Sequence, residues 1–165
     1  MAQQERKIWI LMKEALDFLK DNKEVAFATV GEGNCPKIRV FQIMKMDANT
    51  LYFATSPTKR VYAELQDNPA VEILSRKDNI SVRVAGNAVF DVLDAVQQEI
   101  YNTNPVLPRL YADYTKLEYF RVEIDDMDYF DLTPTPPVLR YSGTMTESPE
   151  NIKTSILTVP RNDKH

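Results

Sequence analysis

A strand, a turn and a helix follow one another between Leu51 and Pro69, LYFATSPTKRVYAELQDNP, and the rest of the chain has to be arranged around them. Leu51 to Thr55 has strand chemistry, and Asp47 to Asn49 is a turn signal just before it. Ser56 is the predicted helix N-cap, with Pro57 at the first helical position, where its missing N–H matters least. Val61 and Leu65 fall four apart, as on a buried helix stripe, and Asn68-Pro69 stops the run. Lys59 and Arg60 therefore sit in the first turn of the helix, at the positive end of its dipole, where cations are unfavourable. A bound anion would resolve that conflict, because backbone N–H groups and two cations would converge on it. The alternative is a pair of solvated surface charges.

A chain of 165 residues is expected to form one domain with a sizeable core. The net charge of −4 argues against a general nucleic-acid binder, which carries a basic excess. No apolar run approaches the length of a membrane span and no signal-peptide pattern opens the sequence, so a cytoplasmic protein is expected. The single cysteine, Cys35, excludes an internal disulfide and fits a reducing compartment. The only histidine is His165. That excludes a metal site built on His and Cys, and it excludes Ser-His or Cys-His nucleophilic catalysis. An enzyme made from this chain has to borrow its chemistry from a cofactor.

Taken in order, the polar residues 1–7 are expected to fray, and residues 8–20 form an amphipathic helix with Ile8, Met12, Ala15, Leu16 and Leu19 on its core stripe. Glu24 to Val30 reads as a strand, and Gly31, Gly33 and Asn34 as the hairpin turn after it. Pro36 to Met46 is a long strand with Lys37, Arg39, Phe41 and Ile43 on one face and Ile38, Val40, Gln42 and Met44 on the other. Arg39 lies among apolar neighbours and needs a partner, either a structural carboxylate or a ligand phosphate. Ala70 to Leu74 and Ile80 to Val92 are further strands, separated by a polar turn at 75–79, and Gly86 marks a bulge or bend in the second. A helix is expected from Leu93 to Tyr101, then a break at Pro105 and Pro108, then a strand from Glu118 to Leu132. Asp125, Asp126 and Asp128 on that strand fit solvent-facing positions and a bulge better than a metal or acid–base cluster, since no histidine accompanies them. Residues 1–132 are read as the domain and 133–165 as a proline-rich extension that packs on the body or on a partner, with Ser155 to Val159 its structured part.

The succession AFATV, PKIRVFQI, LYFATSPTKRVYAELQDNP and SVRVAGNAVFDV resembles the pyridoxamine 5′-phosphate oxidase-like family of FMN-binding split barrels over residues 8–132. The resemblance implies an α+β fold, a six-stranded antiparallel split β-barrel with flanking helices. It also implies a homodimer with flavin at the subunit interface and FMN as cofactor. On this resemblance Arg39 matches the arginine that contacts the flavin phosphate or ribityl chain. Val40, Phe41 and Gln42 match the strand running along the isoalloxazine ring. Ala54 and Thr55 match the next strand's contacts, and Lys59 with Arg60 matches the basic pair on the phosphate.

Two departures narrow the expected reaction. Ser81 stands where relatives often place a larger residue reaching the flavin. The arginine closely followed by histidine or tryptophan that grips the pyridoxal ligand has no counterpart: Arg140 and Arg161 lack those companions, and Trp9 is far away in sequence. Vitamin-B6 oxidase activity is therefore not expected. The resemblance implies an FMN-dependent oxidoreductase taking electrons from a nicotinamide donor. A non-catalytic flavin carrier or sensor, or a deazaflavin- or haem-binding barrel, is the alternative. No side chain stands out as a general acid or base.

Overall fold

The computed structural model describes residues 2–145, in which eight antiparallel strands and four helices surround one main core. Helix α1 (Gln3–Asp21) comes first and packs Met12, Ala15 and Leu19 into the core. It begins five residues before the expected Ile8, so residues 3–7 are helical. Strands β1 (Glu24–Val30) and β2 (Pro36–Gln42) then form a hairpin through the turn at Glu32–Asn34. β2 is shorter than the sequence suggests. At Ile43 and Met44 the backbone N–H groups turn to Lys23 and Tyr52, and the chain leaves β1 to become β3 (Lys45–Asp47) beside β4 (Thr50–Thr55).

Helix α2 (Arg60–Asp67) follows β4, buries Val61 and Leu65, and ends at Asn68. It starts later than Ser56 implied. The Ser56 hydroxyl accepts from the Thr58 N–H at 3.3 Å and the Ser56 carbonyl from the Lys59 N–H at 3.1 Å, making a local turn that bends the chain off β4. The N-cap is Lys59, with extended backbone and no side-chain cap.

β5 (Ala70–Lys77) and β6 (Ile80–Val89) form the next hairpin. Ser75, read as part of a polar turn, is a strand residue instead: its hydroxyl is buried and donates to the Asn22 carbonyl at 2.9 Å. Helices α3 (Asp94–Thr103) and α4 (Leu107–Leu110) lead into β7 (Glu118–Asp131). The chain closes with β8 (Val138–Thr144), a strand formed inside the segment read as an extension. The reading of Ser155 to Val159 lies outside the described residues.

The sheet runs β2-β1-β5-β6-β7-β4-β3, with β8 also on β7. β7 is the branching strand. Its first half pairs with β4 and its second half with β8, while β6 follows its other edge. The eight strands replace the expected six, because the second long strand divides into β2 and β3 and the extension supplies β8. Gly86 sits at a register shift as predicted, although the extra residue, Asp125, belongs to β7. A Cβ at Gly86 would stand 2.4 Å from the Glu123 carbonyl oxygen, so the bulge brings the strands together only where no side chain intervenes.

Period-two alternation accounts for the core. Val25, Phe27, Val71, Ile73, Val82 and Val84 point inward from β1, β5 and β6, and Phe27, Phe41, Phe53 and Phe120 pack their rings against one another with centroids 4.9–6.0 Å apart. A second, smaller cluster joins Ala54 to Val92, Ile100, Leu107, Leu117 and Tyr119 beneath α3 and α4.

Candidate anion and flavin site

β2 divides its residues between two faces as the alternation requires. Arg39 and Phe41 turn inward, whereas Ile38 and Val40 stand 72% and 74% exposed on the outer face. Phe41 joins the phenylalanine cluster and so lies on the opposite side of the strand from Val40 and Gln42. The three positions that the resemblance sets along one ring are thus split two and one. Gln42 accepts a hydrogen bond from the buried Asn104 at 3.2 Å, which ties β2 to the loop after α3.

Arg39 has taken the structural carboxylate, the first of its two possible partners. Its Nη2 donates to both oxygens of Glu64 on α2, at 2.8 and 3.2 Å, and its Nη1 donates to Thr29 Oγ1 at 2.7 Å and to the Phe27 carbonyl at 3.3 Å. The Thr29 hydroxyl in turn donates to Glu64 at 2.8 Å, closing a three-residue clasp across β1, β2 and α2. One guanidinium nitrogen shared between both carboxylate oxygens, with the Thr29 hydroxyl tied to each partner, gives charge-assisted hydrogen bonds that fix the pair in place.

Ala54 and Thr55 end β4, both buried. Thr55 Oγ1 has no hydrogen-bond partner among the described residues, an unusual state for a buried hydroxyl. Lys59 and Arg60 follow at the start of α2, exposed, and among the described residues neither makes an ion pair. No acidic residue occupies the first turn of that helix. Two cations without an ion-pair partner among the described residues, at a helix start with no side-chain cap, are donors of the kind that suits a phosphate group. The residues fit the phosphate end of a flavin nucleotide.

Thr29 and Glu64 were not expected from the sequence. Thr29 could have been found, since it falls in phase with buried Val25 and Phe27 on β1, where a polar side chain demands a partner. Glu64 gave a misleading signal. It lies four residues after Arg60, the spacing of an ordinary surface ion pair.

Other titratable groups are structural. Burial pushes the Tyr119 phenol up to about 12, and its hydroxyl donates to the Tyr114 carbonyl at 3.0 Å. The Thr133 N–H, donating at 2.9 Å, and then Arg140 hold the Asp131 carboxyl below the usual carboxylate range. Asp125 and Asp126 are exposed and Asp128 binds Arg83 and Ser142, and among the described residues no group of three acidic, His or Cys side chains is placed to hold a metal.

A mainly antiparallel sheet curled into a half-barrel, flanked by four helices, defines the class as a split barrel. The chain belongs to the pyridoxamine 5′-phosphate oxidase family, whose sequence profile matches residues 11–135. Among solved structures, a Clostridium acetobutylicum protein related to general stress protein 26 is similar at a TM-score of 0.66, with 15% identity over 83% of this chain and 95% of that one. A NimC/NimA family protein, also from Clostridium acetobutylicum, gives 26% identity and a TM-score of 0.58 over 72% of this chain and 85% of that one. A haem-binding protein from Mycobacterium smegmatis gives a TM-score of 0.66 at 14% identity, covering 81% of this chain and 57% of that one. No curated protein sequence matches the chain. Among the described residues, no helix is long and apolar enough to cross a membrane.

Proposed function

We propose that this chain is a cytoplasmic FMN-binding flavoprotein that works as a homodimer and serves an FMN-dependent oxidoreductase reaction. The observation that carries the reading is that Lys59 and Arg60, which make no ion pair among the described residues, stand exposed at the uncapped start of α2. In this reading Lys59 and Arg60 hold the phosphate, Ala54 and Thr55 line the strand end, and Val40 and Gln42 lie along the ring on the outer face of β2. Phe41 supports that strand from inside the barrel. Family membership supports the choice of a flavin. FMN, when bound, supplies hydride and electron transfer, and a nicotinamide donor is the proposed source of electrons.

The exposed Ile38 and Val40 lie on β2, the strand at one end of the sheet, and Leu74 is 42% exposed two strands away. A second copy covering this apolar face would enclose the ring between subunits. The sole histidine is residue 165, so the described residues offer no imidazole for axial ligation of haem.

Titration of the purified protein with FMN and with riboflavin tests the reading. Binding of FMN at micromolar concentration is expected, with riboflavin much weaker because the cationic helix start then holds nothing. Absence of FMN binding would overturn the proposal. Light scattering should report a dimer in the flavin-bound state, and steady oxidation of a reduced nicotinamide separates an enzyme from a flavin carrier or sensor.

A further inference from the structure

We propose that Arg39 serves the phosphate site without touching the phosphate: it draws the Glu64 carboxylate away from Arg60 and ties α2 to β1 and β2. The inference rests on the flavin-phosphate reading above and assigns Arg39 a different part in it from direct contact.

Three observations support it. First, the Arg39 guanidinium makes four hydrogen bonds within the chain, to Glu64 twice, to Thr29 and to the Phe27 carbonyl. Of the five N–H donors that arginine possesses, that leaves only Nε–H for anything else. Second, Glu64 stands one helical turn after Arg60, the separation at which an acidic and a basic side chain on one helix ordinarily meet. In the folded chain the carboxylate is turned to Arg39 and bound on both oxygens, with the Thr29 hydroxyl donating to one of them. Third, Arg60 is left exposed and without an ion pair among the described residues.

The clasp therefore changes the charge that an anion meets. A free Glu64 would neutralise Arg60 and repel a phosphate dianion. A Glu64 held by Arg39 does neither, and both cations at the helix start remain available. The Glu64 and Arg39 side chains are only 13% and 25% exposed, so solvent screens their pairing weakly and the exchange with Arg60 is disfavoured. Arg39 is in this sense a positioning residue for Arg60.

Two variants test the inference by FMN and riboflavin titration, with a thermal melt of each to confirm folding. Arg39→Met releases Glu64 and should weaken FMN binding about tenfold, the equivalent of one charge-assisted contact, while riboflavin affinity stays within about twofold. The triple variant Thr29→Val, Arg39→Met and Glu64→Leu removes the carboxylate together with its partners and fills the space with apolar groups, an exchange that buried ion-pair clusters tolerate. It should bind FMN within about threefold of wild type, although it has no arginine at position 39. Direct phosphate contact by Arg39 predicts the opposite, a triple variant as weak as Arg39→Met, and that result overturns the inference. Should Arg39→Met not fold, the triple variant against wild type decides alone. A wild type that binds no FMN overturns the flavin reading itself, whereas a wild type that binds and a triple variant that does not overturn only the positioning role of Arg39.

Discussion

Arg39 and Arg140 are each bound through the same kind of relay. In one, the Thr29 hydroxyl accepts from Arg39 and donates to Glu64; in the other, the Tyr129 hydroxyl accepts from Arg140 at 3.4 Å and donates to Glu14 at 3.3 Å. Arg140 also binds the buried Asp131 and lies over the Tyr129 ring, 5.6 Å from its centroid. The difference lies in what surrounds each arginine. Around Arg140 one cation meets two carboxylates, and the result fastens β8 to β7 and α1. At the other clasp one carboxylate pairs with Arg39 alone, while Lys59 and Arg60 at the start of the helix that carries Glu64 make no ion pair among the described residues. Closely related hydrogen-bond geometry thus closes a strand at one place and leaves unspent positive charge at the other. Charge balance, more than bonding pattern, separates a fastening from a candidate binding site.

The largest expected effect that sharpens this contrast comes from Lys59→Ala and Arg60→Ala. Each should remove about 1–3 kcal/mol of FMN affinity, roughly a five- to hundredfold rise in Kd, with riboflavin affinity almost unchanged. Arg140→Ala, which removes a committed cation, should leave FMN affinity as it was. Thermal stability of the apo protein should hold level or rise in the Lys59 and Arg60 variants, because cations leave the positive end of a helix. Equal losses for FMN and riboflavin would mean that the site was deformed, and the contrast between free and committed cations would fall.

A smaller effect is expected from cutting the carboxylates. Glu64→Ala leaves the Arg39 guanidinium short of its main partner and should cost about 1–2 kcal/mol in chemical denaturation, the lower part of the range because a quarter of the Arg39 side chain meets water. Asp131→Asn should also lower the melting temperature, yet without changing the ratio of FMN to riboflavin affinity. A shift of that ratio in Asp131→Asn would break the comparison, since the two clasps would then both act on the site.

The smallest effect is the pH dependence of the Arg140 clasp. Thr133 and Arg140 hold the Asp131 carboxyl below its unfolded value, so the folded state binds its proton less readily than the unfolded state. The stability it contributes is present above about pH 4 and is lost as the pH falls through the lowered folded value. The melting-temperature gap between wild type and Asp131→Asn should therefore be full at pH 7 and narrow below about pH 4. A gap that stays constant into acid would show that this clasp acts through shape and not through charge.

Much of the architecture was legible in the order of residues. The limits of β1 matched the structure residue for residue, the Val61 and Leu65 stripe is buried, Asn68 ends α2, and Gly86 lies at the bulge. These are consequences of local chemistry: alternation with period two, spacing of four on a helix, and the absence of a side chain where two backbones approach. The cations at the helix start were legible for the same reason, since the helix was expected to open close to them.

What required the folded chain was pairing between elements distant in sequence. The division of the second strand at Ile43 depends on a hydrogen bond to Lys23 and on the arrival of β4. The eighth strand exists because the second half of β7 had a free edge for Val138 to Thr144 to join. Nothing local in those stretches decides between a strand and a loop, because backbone donors and acceptors are alike in every residue and only the position of a neighbour assigns them. Arg39 makes the same point at the site. The sequence determined that an arginine among apolar residues must find an anion, while the tertiary structure decided which one, by bringing Glu64 across 25 positions of chain to within 2.8 Å and so withholding it from Arg60.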